Sequence, residues 1–430
     1  MREALRKIFK GDVLVWTVFI LLLVFSVLQV FSAISYLTYL SSAYTSPIQQ
    51  HIIFLMAGVI IVILFVNVKI FRPTTKFFRI GSYFGLLFSW GLLLYLLSRG
   101  QKIGDAARWL EVFGFTIQPS EFAKFFLIIT IADLLDSNYC ILEKVISYFR
   151  RSEFSFSSKQ QFGIIVFLFF VTCILIAAEN LSTAVLLGIV VFVMLSLSNV
   201  AWKKIALLLG GIVTVIMICW GISKLVPEDA KSDNAAVAKV VRFLHRFPTW
   251  ESRVVEFFKP DSDDKYKITD KNRQNVHAQR AIARGGFAKF GPGTSIERDY
   301  LPNAYNDFIY AIVVEEYGLL GGVIIIVLFL GLLFRAPAIA WRQKSEYASF
   351  LVFGATFIIV LQAFINMAVS VKLGPVTGQP LPLISKGGTS IFFVCAYFGL
   401  ILNLSKKETE NESLIEIKKG NNEDEFQIFD

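Results

Sequence analysis

Long apolar runs separated by short polar segments extend over most of the chain. A helix needs about 20 apolar residues to cross the hydrocarbon core of a bilayer, and ten runs approach that length. We therefore predict an all-α integral membrane protein with about ten transmembrane helices. The predicted spans are Val13 to Leu37, His51 to Ile70, Phe78 to Leu97, Ser120 to Leu135, Phe162 to Ala178, Leu181 to Leu197, Ile205 to Leu225, Tyr305 to Phe334, Ala348 to Val371 and Ser390 to Leu404.

The polar segments between these runs are short except for one, residues 226–304, between the seventh and eighth spans. Loops of this length often carry function. We predict a cytoplasmic N-terminus (1–12), a ten-span membrane domain (13–404) with this large extracytoplasmic loop, and a disordered cytoplasmic tail (405–430). Within the loop, VAKVVRFLHRF predicts an amphipathic helix on the lipid headgroups.

Composition and charge agree with this class of protein. The chain is 55% hydrophobic and only 17% charged, which excludes a soluble globule. The formal net charge of +9 comes from Lys and Arg concentrated in alternate short loops, which places both termini in the cytoplasm and predicts no nucleic-acid partner. The four cysteines have no metal-ligand spacing.

Three ionisable residues, Glu121, Lys124 and Asp133, interrupt the fourth span. The first two are candidate functional groups, because charge inside a membrane is costly. Glu121 and Lys124 are three positions apart and share one helix face. They form either a structural ion pair or a substrate contact, and the sequence leaves both interpretations open. Glu179, between the fifth and sixth spans, is expected to be a solvated acid at the outer interface.

The segment NDFIYAIVVEEYGLLGG carries adjacent acids, Glu315 and Glu316, in an otherwise apolar helix. Adjacent helical residues project about 100° apart, so the two carboxylates cannot share one partner. We expect one of them to face a polar groove.

Two glycine-rich segments, ARGGFAKFGPG and LPLISKGGTS, are predicted on the outer side. Arg284, Lys289 and Lys386 in these segments could meet anionic groups, although turns between helices explain most such patterns.

The acidic stretch FFKPDSDDKYK lies in the large loop. Its carboxylates are either a solvated surface or a source of a general base beside a lipid-binding groove. The chain has no Walker loop, GxGxxG or HExxH motif. An enzyme on the outer face would therefore need a substrate that carries its own activated bond.

Several motifs in order along the chain resemble the SEDS family (shape, elongation, division, sporulation), which includes FtsW, RodA and SpoVE. They are DAARWLEVFGFTIQPSEFAK, ENLSTA, RVVEFFKPDSD, ARGGFAKFGPGTSIERDYLPNAYNDFIYAIVVEEYG and GPVTGQPLPLISKGGTS. The resemblance covers nearly the whole chain, and it is closer to the division proteins (FtsW) than to the elongation proteins (RodA).

The resemblance implies an inverting peptidoglycan glycosyltransferase that polymerises lipid II on the outer face of the cytoplasmic membrane, at the division septum. It implies divisome partners, among them a class B penicillin-binding protein that acts as a transpeptidase. A lipid II flippase and an elongation-type polymerase are the alternatives. The sequence establishes no cofactor and leaves a divalent cation open.

The family's loop aspartate, the general base, corresponds to Asp263, three positions after Pro260. The spacing to Gln274 is longer than the family's, which leaves Asp264 and Asp270 as rivals. Substrate binding is assigned by the resemblance and by the motif chemistry together, to Arg108, Glu121, Lys124, Arg284, Glu315, Ser385 and Lys386.

Overall fold

The computed structural model describes residues 9–40, 46–99, 110–112, 115–137, 140–150, 155–225, 272–289, 291–301 and 304–406, with positions 251–253, 255, 257, 258 and 268. Its α-helices are α1 (Val13–Leu40), α2 (Ser46–Asn67), α3 (Lys76–Arg99), α4 (Pro119–Leu135), α5 (Ile141–Arg150), α6 (Ser158–Ala177), α7 (Leu181–Leu197), α8 (Trp202–Leu225), α9 (Arg273–Gly285), α10 (Ile309–Ala340), α11 (Glu346–Ser370) and α12 (Ser390–Leu404).

The prediction of an all-α membrane protein is confirmed, and each of the ten predicted spans falls on a helix. Six helices in the described residues, α1, α2, α3, α6, α10 and α11, are long and apolar enough to cross a membrane, and α7 and α12 are shorter apolar helices. The total of ten crossings stays a prediction.

Four further elements, two strands and two helices, were not predicted from the hydrophobic pattern. Strands β1 (Leu110–Val112) and β2 (Phe115–Ile117) form an antiparallel hairpin that leads directly into α4. Helix α5 is short and amphipathic, with Tyr148 and Phe149 exposed, as expected for a helix lying at a membrane surface. Helix α9 belongs to the large loop and packs on α10.

Helices α11 and α4 form the centre of the bundle. Helix α11 packs against α10, α4, α12 and α7, and nearly every residue of α4 is buried. Helix α12 packs along α2, and α3 packs along α4. Outward-facing apolar side chains on the peripheral helices, including Phe31, Ile53, Phe84 and Leu207, remain exposed, as a lipid-facing surface requires.

The charged side chains that interrupt α4 are all paired. Asp133 accepts hydrogen bonds from Arg79 of α3 and from the hydroxyl of Tyr83, the latter at 2.8 Å, and Arg79 also reaches Asp136 at 3.3 Å. The Arg79 guanidinium lies over the Tyr347 ring. Partners supplied by neighbouring helices therefore allow an apolar bundle to bury these charges.

The beginning of α1 and the end of α12 meet at one end of the bundle, called here the terminal end. The backbone N–H of Asp12 donates to Ser405 Oγ at 2.8 Å. Gly11 has φ +111°, and a Cβ there would lie 2.7 Å from the Leu402 carbonyl oxygen. Glycine is therefore required where the two segments approach most closely. Because α12 ends here, its first residue, Ser390, lies at the opposite end.

Candidate functional site

The polar segment 371–389, between α11 and α12, gathers three distant parts of the chain at the end opposite to the termini. Thr389 Oγ1 accepts from the backbone N–H of Gln118 at 3.2 Å, just before α4. The backbone N–H of Lys386 donates to the Tyr305 carbonyl at 3.0 Å. Gln379 Nε2 donates to the Thr183 hydroxyl at 2.8 Å. This end therefore brings together the first turn of α4, the first turn of α7 and the residues before α10.

Glu121 and Lys124 lie in the first two turns of α4, and both are almost fully buried. Lys124 Nζ is 2.7 Å from Glu121 Oε1. The ion pair follows from their spacing, because residues three apart on a helix lie side by side. The carboxylate at the α4 N-terminus is also favoured by the helix dipole. A pair with each other does not exclude contact with a substrate, so the predicted binding role stays a prediction.

Lys386 is half-buried, and its ammonium lies 5.4 Å from the centre of the Tyr305 ring. Among the residues that the structure describes, no carboxylate lies within 4 Å of this ammonium. Burial lowers the pKa of Lys386. An anionic ligand would relieve this unfavourable desolvation, because an opposite charge stabilises the ammonium form.

Ser385 has a different environment from its neighbour. Its hydroxyl donates to the Asn306 carbonyl at 2.6 Å and accepts from the Leu381 N–H at 2.8 Å. Both contacts hold the loop in shape and tie it to the segment before α10. The structure therefore places Ser385 as a support for Lys386, and direct substrate binding by its hydroxyl stays a prediction.

Glu315 lies in the first half of α10 and is 1% exposed. Its carboxylate accepts the Ser295 hydroxyl and the backbone N–H groups of Ile296, at 3.0 Å, and Glu297, at 3.3 Å. These donors lie at the start of a 3-10 turn, Glu297–Asp299. Glu315 thus satisfies backbone donors of a loop that would otherwise be buried without partners.

Glu316, which the sequence analysis left without an assigned role, is fully buried and joins two elements. Its carboxylate accepts from Ser32 Oγ and Gln29 Nε2 of α1, and from the backbone N–H of Gly293 at 3.1 Å. The two adjacent glutamates therefore have largely different partners, as the 100° rotation between them predicts. Both hold the glycine-rich loop to the bundle.

The same loop fills a break in α10. Gly318 has φ +71°, a left-handed conformation that interrupts the helix. The backbone N–H groups of Leu319 and Leu320 donate to the carbonyls of Gly286 and Phe287, at 3.0 and 3.2 Å, and the N–H of Gly291 donates to the Glu316 carbonyl. Gly286, Phe287 and Gly291 thereby replace hydrogen bonds that the broken helix has lost.

A buried carboxylate that the sequence analysis missed, Glu297, organises the exposed side of this loop. Glu297 Oε2 lies 2.6 Å from His277 Nδ1, and Oε1 lies 2.8 Å from Arg284 Nη1. His277 stacks on the Tyr300 ring. Arg284, predicted to bind substrate, therefore already has an anionic partner, although 46% of its side chain is exposed. No local pattern links His277 and Glu297, which lie 20 positions apart.

Four predicted site residues, Arg108, Asp263, Asp264 and Asp270, lie outside the described residues, as does the predicted amphipathic helix within 226–250. Their assignments stay predictions. The described residues of the loop contribute α9, whose glycine end packs tightly on α10: a Cβ at Gly285 would lie 2.0 Å from the Val314 carbonyl oxygen.

The described arrangement can hold an anion at the end of an apolar bundle. It offers Lys386 without a carboxylate partner, the partly exposed Arg284 and the buried Glu121–Lys124 pair. The described residues contain no group of three or more His, Cys, Asp or Glu able to hold a metal ion.

Glu179, expected to be solvated, is instead buried, because the junction of α6 and α7 lies within the packed bundle.

Comparisons with known proteins agree with this architecture. A probable peptidoglycan glycosyltransferase FtsW from Geobacter sp. (strain M18) is 30% identical over 76% of this chain and 77% of its own length. The peptidoglycan glycosyltransferase MrdB of Escherichia coli (strain K12) is 27% identical over 73% of this chain and 74% of its own.

Among solved structures, a chain from a study of polymerisation and crosslinking by a peptidoglycan synthase complex has the same fold. Its TM-score is 0.62 at 19% identity, and the match covers 92% of this chain and 97% of the solved one. The FTSW_RODA_SPOVE family model, described as cell cycle protein, matches residues 12–410. From its match over nearly the whole length, this chain belongs to the SEDS family of FtsW, RodA and SpoVE proteins.

Proposed function

We propose that this chain is a peptidoglycan glycosyltransferase that polymerises lipid II into glycan strands at the outer face of the cytoplasmic membrane. The observation that carries the proposal is the half-buried ammonium of Lys386, which has no carboxylate within 4 Å among the described residues. Such a group is suited to a diphosphate. The names of the relatives, FtsW and MrdB glycosyltransferases, support the same activity.

In the proposed reaction, a sugar hydroxyl of the acceptor attacks the anomeric carbon of a lipid-linked donor. A new carbon–oxygen bond forms as the bond from the anomeric carbon to the diphosphate oxygen breaks, and the configuration inverts. The polyprenyl diphosphate leaves with the electron pair, and a carboxylate takes the hydroxyl proton. One base suffices because a diphosphate leaves without being protonated, unlike the leaving group of most glycosidases.

Asp263 is the proposed general base, and Asp264 and Asp270 are its rivals. All three lie outside the described residues. The described part of the loop supports the proposal indirectly, since α9 and the Glu315 and Glu316 contacts attach the loop to the bundle beside α10. A base needs this kind of attachment to stay within reach of the substrate.

Cations of the site stabilise the negative charge that develops on the departing diphosphate. We assign this role first to Lys386 and then to Arg284, Lys124 and Arg108. Glu121 keeps Lys124 in place through their ion pair. A divalent cation is a further proposed participant, but the described residues offer it no ligand cluster, and no step above depends on it.

The biological role that we propose is division. By its motif resemblance, this chain acts as an FtsW-type polymerase at the septum, with both termini in the cytoplasm. Its partners are then divisome proteins, including a class B penicillin-binding protein as transpeptidase. The structurally similar chain from a peptidoglycan synthase complex supports a partnered enzyme in general.

The experiment is reconstitution of the full chain with purified lipid II and the cognate transpeptidase, with glycan strands resolved on a gel. Asp263→Asn should abolish polymer while Asp264→Asn and Asp270→Asn retain it. If polymer is lost only in Asp264→Asn or only in Asp270→Asn, that residue is the general base instead of Asp263. Full polymer from all three variants would overturn the base assignment, and addition of EDTA tests the divalent cation.

A lipid II flippase is the alternative function, favoured by one observation: α10 is broken at Gly318, and broken helices recur in transporters. If the protein is a flippase, the Asp263→Asn variant should move lipid II across the membrane of reconstituted vesicles as fast as the wild-type protein does. A polymerase should lose glycan synthesis in that variant while its thermal unfolding is unchanged. An elongation-type role, as in RodA, is separated from division by where the tagged protein localises in the cell.

A further inference from the structure

The turn that carries Lys386 reaches into the helical bundle. Leu381, Leu383 and Ile384 of this turn are buried. The hydroxyl of Ser26, near the middle of α1, donates to the Leu383 carbonyl oxygen at 2.5 Å. Non-helical backbone inside a membrane bundle needs hydrogen-bond partners from the protein, because lipid tails offer none. Ser26 therefore supplies the partner that the Leu383 carbonyl requires.

The backbone of Leu383 is strained. Its φ is +63°, in the left-handed region that residues other than glycine rarely adopt. The turn closes around it through a hydrogen bond from the Ser385 N–H to the Leu381 carbonyl at 2.9 Å. Strained backbone persists only where surrounding contacts hold it, and such strain is concentrated at functional sites. The contact from Ser26 holds this turn at the strained residue itself.

His51, in the second turn of α2, orients the Ser26 hydroxyl. His51 Nε2 lies 2.9 Å from Ser26 Oγ. Because the only proton of the hydroxyl is donated to the Leu383 carbonyl, Ser26 accepts the proton of His51 Nε2–H. His51, Ser26 and Leu383 thus form a chain of two hydrogen bonds from α2 through α1 to the turn. The imidazole fixes the direction in which the hydroxyl donates.

This pair has an uncompensated polar atom, which indicates a role other than stability. Ser26 is fully buried, and His51 is 2% exposed. Within the part of the chain that the structure describes, His51 Nδ1 has no hydrogen-bond partner. A buried acceptor without a partner costs free energy, and two apolar side chains of similar size would avoid this cost. The pair is therefore better explained by what its Nε2–H and its hydroxyl hold in place.

Helix α2 is a fixed support for His51. Gly58 lies about two helical turns after His51 and therefore on the same helix face. A Cβ at Gly58 would lie 2.6 Å from Cys395 Sγ of α12, so the two helices touch. Helix α12 begins at Ser390, shortly after Lys386. The imidazole and the turn are thus held against the same helix.

We propose that His51 and Ser26 are positioning residues that hold the Lys386 ammonium where the diphosphate of the substrate binds. This inference rests on the proposed function, since that function supplies the anion. Neither side chain contacts the diphosphate in this role. Both act through the Leu383 carbonyl and the few backbone atoms between it and Lys386. Without the contact from Ser26, Leu383 can relax from its left-handed conformation, and the ammonium moves from its place beside the Tyr305 ring.

The first test measures kcat/KM for purified lipid II with the full-length protein and its cognate transpeptidase. Ser26→Ala removes the donor to Leu383, and His51→Leu removes the donor to Ser26. Both variants should lower kcat/KM on the order of tenfold, since a misplaced ammonium loses a charged hydrogen bond to the diphosphate. His51→Gln should stay close to wild type, because the glutamine amide can donate from nearly the position of Nε2.

The matched control is Ser89→Ala. Ser89 is as fully buried as Ser26, but its hydroxyl donates within its own helix, to the Leu86 carbonyl at 2.7 Å. This variant should retain the wild-type kcat/KM. The positioning role would be overturned by an equal loss in Ser89→Ala, by a loss in His51→Gln as large as in His51→Leu, or by an unchanged value in Ser26→Ala.

A second measurement follows Lys386 itself and needs no enzyme activity. The pH dependence of Lys386 labelling by acetic anhydride, read by mass spectrometry, gives the pKa of its ammonium. Burial lowers this pKa in the wild type. In Ser26→Ala and His51→Leu, the pKa should rise toward the ordinary 10.5, because a displaced ammonium regains water. His51→Gln and Ser89→Ala should keep the wild-type pKa.

The two measurements separate this inference from the proposed function. A wild-type protein that makes no polymer contradicts the proposed function, and the titration of Lys386 then decides the positioning role alone. If the wild type polymerises and Ser26→Ala keeps the wild-type pKa of Lys386, only the positioning role is overturned. Folding is checked by size-exclusion chromatography and thermal unfolding. If Ser26→Ala does not fold, the comparison of His51→Leu with His51→Gln decides the question.

Discussion

Glu121 and Lys124 form an ion pair inside α4, with Lys124 Nζ 2.7 Å from Glu121 Oε1 and both residues almost completely buried. The pair satisfies two charges that would otherwise be too costly for an apolar bundle. It also occupies the end of α4 that contacts the Lys386 loop through Gln118 and Thr389. A structural and a functional role for the pair can be separated by experiment.

Glu121→Gln should lower the free energy of unfolding by about 3 to 5 kcal/mol, because it leaves the Lys124 ammonium buried without its anion. Thermal unfolding in detergent measures this loss. The exchanged pair, Glu121→Lys with Lys124→Glu, should recover most of the stability but not lipid II polymerisation. Recovery of both would show that the pair is structural only.

Glu315→Gln should loosen the loop that follows α9. The carboxylate accepts the Ser295 hydroxyl and two backbone N–H groups, whereas an amide would turn an N–H₂ group toward some of these donors. We expect a loss of about 1 to 3 kcal/mol and faster hydrogen exchange in residues 291–301.

The control for this variant is Glu346→Gln, which affects a similar cap at the terminal end. Glu346 accepts from the backbone N–H and the hydroxyl of Ser137, at 2.9 and 2.6 Å. The Glu346→Gln variant should leave the hydrogen-exchange rates of residues 291–301 unchanged. Similar acceleration in both variants would mean that the loop responds to general destabilisation and not to Glu315.

Gly285→Ala should be severely destabilising. The added Cβ would lie 2.0 Å from the Val314 carbonyl oxygen, and neither backbone can retreat without separating α9 from α10. A cost of about 3 kcal/mol or more is expected. In the control Gly163→Ala, the new methyl group meets nothing within 4 Å, so its unfolding temperature should be equal or slightly higher.

The charge of Lys386 should control substrate affinity in alkaline solution. Burial lowers the pKa of Lys386 in the folded protein below the ordinary 10.5. Between this lowered pKa and 10.5, the unfolded chain therefore binds more protons than the folded one. Protein stability should therefore rise with pH in that window. Affinity for an anionic substrate should change in the opposite direction, because the ammonium loses its proton.

The measurement is KM for lipid II from about pH 7 to about pH 10 in wild type and Lys386→Arg. KM should rise with pH in wild type, while the arginine stays charged over the whole range and flattens the profile. Equal pH profiles for the two proteins would remove Lys386 from substrate binding.

The hydrophobic pattern was sufficient to locate all ten predicted spans on helices, because the bilayer fixes the length of an apolar helix. It could not predict α5 or the hairpin before α4, since both are short and partly polar. The strands have three residues each and α5 has ten, so none of them contains an apolar run of span length.

Within the site, the sequence predicted local contacts between side chains better than it predicted their functional roles. Three-residue spacing predicted that Glu121 and Lys124 could pair, and helical rotation predicted separate partners for Glu315 and Glu316. The His277–Glu297 contact could not be predicted, because its two residues meet only after α9 packs on α10. The break at Gly318 was equally hidden, since glycine is common in membrane helices.

The break in α10 has a consequence for engineering relatives of this protein. Gly286 and Phe287 supply the carbonyl groups for Leu319 and Leu320, and Glu316 supplies the carbonyl for Gly291. The two stretches are therefore one unit of exchange, although about 25 positions separate them in the sequence. A chimera that imports a relative's outer loop should import residues 316–320 with it, because the loop backbone and the helix break must match in shape for these backbone hydrogen bonds to form.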